Sequence, residues 1–282
     1  MSTLGHGGTV GPVGTRAQQA TVAPVGGAGH VLVGCSHGTR DVAGRRTVAD
    51  LLLAVRAARP GLTVRAAFVD VQPPAVADLV ARLVRGGHVP VVVPLLLSGG
   101  YHVRVDVAAA VAAAPGAVAA AALGPDDALA EVLLDRLAAA GVAPTDAVVL
   151  AAAGSSDPRA AADVEAALAL LAARRPGPVT AGYGSIATPS VPDAVAAARA
   201  AGAGRVAVAS YLLAPGFFHS RLLGAGADVV TAPIGVDPRV AALVLRRFDE
   251  AVLPARMRGR PSPPPAAPAS SPTCTASGAE KS

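Results

Sequence analysis

Aromatic side chains are scarce in this 282-residue chain, which has no tryptophan, three tyrosines and four phenylalanines. Proteins that bind single-stranded nucleic acid generally stack bases on several aromatic rings, so this composition disfavours that class. Cysteine is equally scarce, since Cys35 lies in an apolar run and Cys274 lies near the C-terminus. Two such cysteines form no disulfide framework, and we therefore expect a reducing, cytoplasmic location.

Acidic residues are nearly missing from both ends of the chain, which explains its formal net charge of +5. Residues 1–29 hold one arginine and no acid, and residues 254–282 hold four basic residues and one glutamate. The remaining residues 30–253 carry 19 basic and 18 acidic groups. A nearly neutral central region predicts no nucleic-acid partner. The first residues contain neither a basic n-region nor an apolar h-region, so we predict no secretory signal.

Long apolar runs are also rare, and only residues 107–123 approach the length of a membrane-spanning helix. Pro115 and Gly116 interrupt this stretch, which we interpret as a helix ending near Ala114 followed by a buried strand. We therefore predict no membrane association. Residues 1–28 and the Pro/Ala/Ser-rich residues 254–282 lack hydrophobic periodicity, and both segments are predicted to be disordered.

Between these ends, short apolar runs alternate with amphipathic stretches, which predicts parallel sheets covered by helices on both faces. Pro90 and Pro94 suggest that the third strand lies at a sheet edge or contains a bulge. Strands are expected near 30–34, 62–69, 89–97, 117–122, 147–152, 178–184, 205–213 and 228–232. Helices are expected near 44–58, 74–86, 103–114, 126–140, 158–174, 190–202, 219–225 and 238–252.

The second half of this pattern repeats the first. Residues 74–78 (PAVAD) match 189–193 (PSVPD), and residues 95–102 (LLLSGGYH) match 212–219 (LLAPGFFH). A period near 115 residues is too long for a solenoid and indicates a duplicated domain. The predicted fold is α/β, with two tandem domains that each contain a four-stranded, mainly parallel sheet, and with a cleft between them. The predicted domains are residues 29–143 and 144–253.

Polar residues follow three strands of the first copy: His37 follows the first strand, Asp70 the second and His102 the third. Ligands bind beyond the carboxyl ends of parallel strands, so we expect these side chains to meet at one rim. Two imidazoles and a carboxylate there could bind a divalent first-row metal. The alternative is that a strand-end histidine only bonds a nearby carbonyl group.

The second copy retains less of this pattern. Ala153 stands where the first copy has His37, Ser185 stands where it has Asp70, and only His219 is retained. This asymmetry predicts that the first copy carries the chemistry and that the second forms a wall of the cleft.

Aromatic residues precede the third-strand histidine in each copy, and arginines follow two rim positions of the first copy. A flat, conjugated ligand would contact such rings, although aromatic residues also commonly close the ends of sheets. Guanidinium groups suit a polycarboxylate, with solvated surface arginines as the alternative. The candidate substrate-binding residues are Arg40, Tyr101, Arg104, Phe217, Phe218 and His219.

A competing motif is Gly34–Gly38, which fits the G-x-S-x-G nucleophile elbow of α/β-hydrolases. Ser36 as nucleophile would need a base such as His219 and an acid such as Asp228 or Asp237. The elbow would lie on the first strand without the strands that normally precede it, and no HGGG-type oxyanion segment occurs. These points disfavour a serine hydrolase.

Three segments, in order, resemble the sirohydrochlorin chelatase family of class II tetrapyrrole chelatases. Residues 31–41 (VLVGCSHGTRD) are similar to the family's GHGSRD start, and residues 68–74 (FVDVQPP) to its F-x-E-x-x-x-P segment. Residues 94–102 (PLLLSGGYH) are similar to its P-L-F-L-x-x-G-x-H segment. The likeness covers about residues 30–252 and includes the two-copy arrangement of the longer members.

The resemblance implies a lyase that inserts Co²⁺ or Fe²⁺ into sirohydrochlorin, in siroheme or cobalamin biosynthesis, without an organic cofactor. It implies that His37 and His102 contact the metal and that Asp70 takes the acidic position where glutamate is usual. Because a neutral imidazole is needed to bind a metal ion, activity should fall below roughly pH 6. A non-catalytic carrier of metal or tetrapyrrole is the alternative. The cleft is enclosed within one chain, which is consistent with a monomer.

Overall fold

The computed structural model describes residues 29–99 and 103–253, in which strands and helices alternate throughout. A π-helical turn over Val103–Val107 leads into the third helix. The first half contains β1 (His30–Ser36), α1 (Val42–Ala58), β2 (Thr63–Phe68), α2 (Val76–Arg85), β3 (Val89–Pro94), α3 (Ala108–Ala112), β4 (Val118–Ala119) and α4 (Asp127–Ala139). The second half contains β5 (Ala147–Ala152), α5 (Pro158–Ala172), β6 (Val179–Tyr183), α6 (Val191–Ala200), β7 (Val206–Tyr211), α7 (Phe217–Leu222), β8 (Val229–Val230) and α8 (Pro238–Val252).

Each half forms one four-stranded, fully parallel sheet, with the orders β2-β1-β3-β4 and β6-β5-β7-β8. The same order in both halves confirms the predicted duplication. The likeness extends to the loops: the Phe68 N–H donates to the carbonyl of Pro74, and the Tyr183 N–H donates to that of Pro189, both at 3.0 Å.

The prediction that β3 lies at an edge or a bulge was wrong, because β3 pairs with β1 on one side and β4 on the other. The N–H groups of Val89 and Leu95 donate toward the β1 side, whereas the Val92 carbonyl accepts from Ala120 beyond β4. Alternate residues of a parallel strand face alternate neighbours, so the nitrogens of Pro90 and Pro94 face the β4 side. Strand β4 is only two residues long and pairs only with residues 91 and 92. The prolines therefore interrupt no bond to β1.

Aspartates begin several helices and explain where they start. The side chain of Asp41 accepts a hydrogen bond from the Gly44 N–H at 2.8 Å, which caps α1. Asp126, Asp157 and Asp237 cap α4, α5 and α8 in the same way. Each cap satisfies a backbone donor that the helix itself leaves unpaired.

A central core lies between the two sheets and joins both halves. One face of each sheet packs against α1, α4, α5 and α8, and these elements form one continuous apolar cluster. Helices α2 and α3 cover the outer face of the first sheet, while α6 and α7 cover that of the second.

The fourth helix of each repeat packs on the sheet of the other repeat. Helix α4 contacts β7 and α5, whereas α8 contacts α1, β3 and β4. One arginine on each of these helices hydrogen-bonds to the other repeat. Arg247 Nε of α8 donates to the Ala122 carbonyl, and Arg136 Nη2 of α4 donates to the Ile234 carbonyl, both at 2.8 Å. The domain boundary predicted near residue 143 separates the two sequence repeats and stays a prediction. The helices and sheets of the two repeats pack against each other on both sides of it.

None of the described helices is both long and apolar enough to span a bilayer. The uncharged stretch that raised this question divides into α3 and β4, with Pro115 and Gly116 between them. The helix predicted to end near Ala114 is confirmed, since α3 ends at Ala112. The prediction of a buried strand after it was wrong, because β4 has only two residues, of which Val118 is half-buried and Ala119 is exposed.

Candidate active site

The loops that carry His37 and Asp70 lie side by side at the carboxyl end of the first sheet. The Val69 N–H donates to the Ser36 carbonyl at 3.0 Å, and the Asp70 N–H donates to the His37 carbonyl at 2.9 Å. Strand pairing between β1 and β2 therefore continues past both strand ends. The backbone brings these two predicted site residues together, and the side chains of both are exposed at the rim.

The loop after β2 contains unusual backbone geometry. Val71 has a φ of +64°, a conformation that β-branched residues rarely adopt. Asp70 Oδ1 accepts a hydrogen bond from the Val71 N–H at 2.7 Å, and Gln72 Oε1 accepts one from the Thr39 N–H at 2.8 Å. Strain of this kind clusters at functional sites, where surrounding contacts hold it in place. Here the contacts join the Asp70 loop to the segment that follows His37.

The third part of the predicted site continues from β3. The Leu95 N–H donates to the Cys35 carbonyl at 2.7 Å, so the chain leaves β3 still paired with β1. His102 and Tyr101 lie outside the described residues, and so does the side chain of Arg104. Among the residues that the structure describes, no three histidine, cysteine, aspartate or glutamate side chains gather closely enough to hold a metal ion.

A cavity of about 220 Å³ lies between the two repeats at this rim, which confirms the predicted cleft. His37 and residues 95–98 line it from the first repeat, while residues 152–155 of the loop after β5 and Tyr211 line it from the second. Most of the lining is apolar. The cavity therefore combines a histidine at its mouth with a largely apolar interior.

The second repeat keeps the backbone of this arrangement without its histidine. The Gly184 N–H donates to the Ala152 carbonyl at 2.8 Å, as Val69 does to Ser36. Ser185 Oγ donates to the carbonyl of Ala153 at 2.7 Å. Ser185 therefore closes its own loop, and Ala153 offers no ligand atom from its side chain.

The substrate-binding candidates of α7 lie apart from the cavity lining. Phe217 is 70% exposed and packs edge-to-face on Phe218, with ring centroids 5.5 Å apart. The guanidinium of Arg221 lies 5.7 Å from the Phe217 ring centroid. His219 Nε2 lies 3.2 Å from the Thr231 carbonyl, to which it donates when protonated. Arg40 is exposed and likewise does not line the cavity, so substrate contacts by these residues stay a prediction.

The side chains required for a serine hydrolase are engaged elsewhere. Asp228 accepts hydrogen bonds from the Val206 N–H and from Arg199, which lower the pKa of its carboxyl group. Asp237 caps α8 and pairs with Arg239. Neither carboxylate is bonded to His219, whose Nε2 faces the Thr231 carbonyl.

Cys35 does not add a ligand to the site. Its side chain is 1% exposed, and burial raises the pKa of the thiol to about 12. The thiolate is the form that binds metals, so a thiol that remains protonated is a poor ligand.

Two residues of the second repeat form hydrogen bonds to the segment that contains the cavity wall, and neither was predicted from the sequence. Tyr211 Oη donates to the Leu97 carbonyl at 2.9 Å, and Asp163 Oδ2 accepts from the Gly99 N–H at 2.6 Å. Tyr211 was detectable as one of the seven aromatic residues, at the end of a predicted strand. Nothing in the local pattern singled out Asp163.

Solved structures support the same architecture. SirB from Bacillus subtilis with Fe³⁺ has a TM-score of 0.68 and 21% identity, covering 79% of this chain and 95% of that one. The sirohydrochlorin chelatase SirB from Bacillus subtilis subspecies spizizenii in complex with cobalt has a TM-score of 0.63 and 21% identity, covering 79% and 94%. CbiX, described as the terminal enzyme for biosynthesis of siroheme in denitrifying bacteria, has a TM-score of 0.58 and 20% identity, covering 78% and 99%. At these identities the likeness shows the fold.

The family comparison covers both repeats. No curated protein matches the sequence. The CbiX family matches residues 31–140 and again residues 147–251, which together make up most of the chain. The two matched ranges correspond to the two repeats seen in the structure. This chain therefore belongs to the CbiX family.

Proposed function

We propose that this CbiX-family chain is a sirohydrochlorin chelatase, a lyase that inserts Co²⁺ or Fe²⁺ into sirohydrochlorin with His37 and His102 as the metal-binding imidazoles. The observation that carries the proposal is the position of His37 at the mouth of a cleft between two repeats. Residues 95–98, which precede His102 in the sequence, form another wall of the same cleft. Family membership, and iron and cobalt in the SirB structures, support this metal chemistry.

Insertion requires the metal ion to shed water and the macrocycle to lose two pyrrole protons. Neutral imidazoles of His37 and His102 hold the metal substrate on one face of the ring, because imidazole suits both iron and cobalt. Asp70 is exposed beside the His37 loop and serves as a proton acceptor with bulk water within reach. One oxygen of its carboxylate accepts the hydrogen bond from the Val71 N–H.

The macrocycle occupies the cavity only in part. A volume of about 220 Å³ is below the roughly 300–1,000 Å³ typical of ligand pockets, so most of the ring lies at the open rim. There, Arg40 and Arg104 pair with the carboxylate substituents of the substrate. The rings of Tyr101, Phe217 and Phe218 contact its flat face, and His219 lies beside them.

The proposal includes a role in siroheme or cobalamin synthesis, with the metal as a substrate and no organic cofactor. Because one chain encloses its own cleft, we propose that the enzyme acts as a monomer. Scarce cysteine supports a cytoplasmic location.

The test is a multiple-turnover assay that follows the absorption change of sirohydrochlorin with excess Co²⁺ or Fe²⁺. We expect turnover by the native chain and its loss in His37→Ala and in His102→Ala, with unchanged circular dichroism. His88→Ala is the matched control, since His88 is exposed in the turn before β3, at the opposite end of the sheet. This variant should insert metal normally.

Other outcomes separate the alternatives. Stoichiometric binding without turnover would indicate a carrier. Loss of activity in Ser36→Ala, together with normal turnover in both histidine variants, would favour a serine nucleophile and overturn the proposal. We expect Ser36→Ala to retain metal insertion.

A further inference from the structure

The cleft wall formed by residues 95–98, together with the adjoining Gly99, belongs to the first repeat but is held by the second. Tyr211 Oη donates to the Leu97 carbonyl at 2.9 Å. Asp163 Oδ2 accepts from the Gly99 N–H at 2.6 Å. Tyr211 ends β7 and Asp163 lies on α5, so both bonds cross from one repeat to the other.

The Tyr211 contact is buried and leaves no spare room. The side chain is 3% exposed, and burial raises the pKa of its hydroxyl above the usual range, so this group remains a donor. Gly124 packs against the same pair of atoms. A Cβ at Gly124 would lie 2.2 Å from the Leu97 oxygen and 2.3 Å from Tyr211 Oη. The position of the Leu97 carbonyl is therefore defined from two sides.

The Asp163 contact is charge-assisted, because a carboxylate accepts the bond from a backbone donor. Aspartate is a weak helix former, so its presence in the middle of α5 does not stabilise the helix itself. The bond to Gly99 is what this side chain contributes. It satisfies a backbone N–H that follows β3 outside any regular element.

We infer that Asp163 and Tyr211 are positioning residues of the chelatase, which hold Leu97 of the cleft wall and the nearby Gly99 in place. This inference rests on the proposed function. The second repeat has Ala153 in place of a histidine, and its contribution is to orient the wall that the first repeat supplies. Neither side chain takes part in bond making, and each acts through the backbone of the segment it holds.

The experiment compares Asp163→Ala, Tyr211→Phe and the double variant with the native chain, using Co²⁺ and sirohydrochlorin under steady-state conditions. The held segment leads along the chain to His102, the second proposed metal-binding imidazole. Displacement of such a group by about 1 Å can cost on the order of 100-fold in rate, so we expect kcat to fall roughly 10- to 100-fold. The KM for sirohydrochlorin should change far less, since the wall rather than the rim is altered. Thermal unfolding of each variant shows whether it remains folded.

Two further variants separate positioning from a merely structural role. Asp163→Asn keeps an oxygen that can accept from Gly99 and should restore most of kcat. Glu165→Ala removes an exposed carboxylate from the same helix and should match the native chain.

The outcomes distinguish this inference from the proposed function. Native kcat in the double variant would overturn the inference while leaving the proposed function intact. The same holds if Asp163→Asn is as impaired as Asp163→Ala. Failure of the native chain to insert metal would overturn the proposed function, and the inference with it. If the double variant does not fold, the kcat values of Tyr211→Phe and Asp163→Ala are compared with that of the native chain one by one. Native kcat in both single variants would then overturn the inference.

Discussion

The close approach of the loops that carry His37 and Asp70 depends on Gly38. This residue has a φ of +97°, and a Cβ added there would lie 2.1 Å from the Asp70 carbonyl oxygen. The equivalent Gly154 has a φ of +88°, but its Cβ would lie 2.9 Å from Ser185 Oγ and no nearer than 3.5 Å to backbone atoms, which is ordinary contact. A hydroxyl can rotate away, whereas a backbone carbonyl cannot. The site-bearing repeat is therefore the more tightly constrained at this position.

We predict that Gly38→Ala destabilises the protein more than Gly154→Ala does. Both variants incur about 1 to 2 kcal/mol of left-handed backbone strain, and Gly38→Ala adds about 1 to 3 kcal/mol from the collision with Asp70. Urea unfolding measures both losses. Gly38→Ala should also weaken Co²⁺ binding, because it separates the His37 and Asp70 loops. Equal stability of the two variants would contradict this account of Gly38.

At the scale of single elements, α8 shows how a cap and an ion pair combine. Asp237 caps the helix and also receives hydrogen bonds from the Arg239 side chain, with Nε and Nη2 each 2.9 Å from a carboxylate oxygen. This pairing with Arg239 lowers the pKa of Asp237 below its usual value, and the backbone bond adds to the effect. The carboxylate thus stabilises the helix that crosses onto the first sheet.

The sign of the pH dependence follows from that lowered pKa. A carboxyl group whose pKa is lower in the folded state contributes stability above its unfolded pKa near 4, and this stability is lost as pH falls through the folded pKa. We predict that Asp237→Asn, which retains a capping oxygen, lowers the free energy of unfolding by about 1 kcal/mol at pH 7. The difference from the native chain should shrink below pH 4. Guanidinium titrations between pH 7 and pH 2.5 measure it.

The control for this prediction is Asp50→Asn, which removes an exposed carboxylate 3.6 Å from Arg46. Exposed pairs of this kind contribute about 0 to 1 kcal/mol, so little change is expected at any pH. A difference for Asp237→Asn that stays constant from pH 7 to pH 2.5 would show that the charge of Asp237 is not involved.

At the scale of the whole molecule, the exchange of α4 and α8 makes the two repeats interdependent. Leu243, Val244 and Phe248 of α8 are at most 1% exposed and belong to the core shared by both halves. Arg59, the residue that follows α1, forms an ion pair with Asp249 of α8 at 2.6 Å. This ion pair holds the end of α8 against the first repeat. The first repeat alone would lack α8, which covers its sheet. Its own α4 would lack β7 and α5, on which it packs.

We predict that residues 1–143 alone do not unfold cooperatively. Without α8, the first sheet exposes part of its inner face, and each large apolar side chain left in water costs about 1.5 to 3 kcal/mol. Several such losses exceed a total stability of about 5 to 15 kcal/mol. Mixing fragments 1–143 and 144–282 should restore a cooperative thermal transition, followed by circular dichroism. A sharp transition for 1–143 alone would contradict the interdependence, and residues 29–253 as one chain provide the folded control.

Local pattern predicted most of the elements, because the period of apolar residues reports which face of a strand or helix is buried. Helix α8 was predicted at 238–252 and is observed over those residues. The resemblance to the chelatase family was also readable from three short segments, and the family match confirms it. The neighbouring positions of His37 and Asp70 followed from the rule that parallel strands end at one edge.

Partners distant in sequence required the folded chain. Periodicity reports that a residue is buried but does not report against which neighbour, so the interior position of β3 and the exchange of α4 and α8 were not predictable. The bonds from Tyr211 to Leu97 and from Asp163 to Gly99 span 114 and 64 residues of sequence. Contacts of this kind arise only once both sheets and the helices between them are packed, because that packing alone sets the distance between the two repeats.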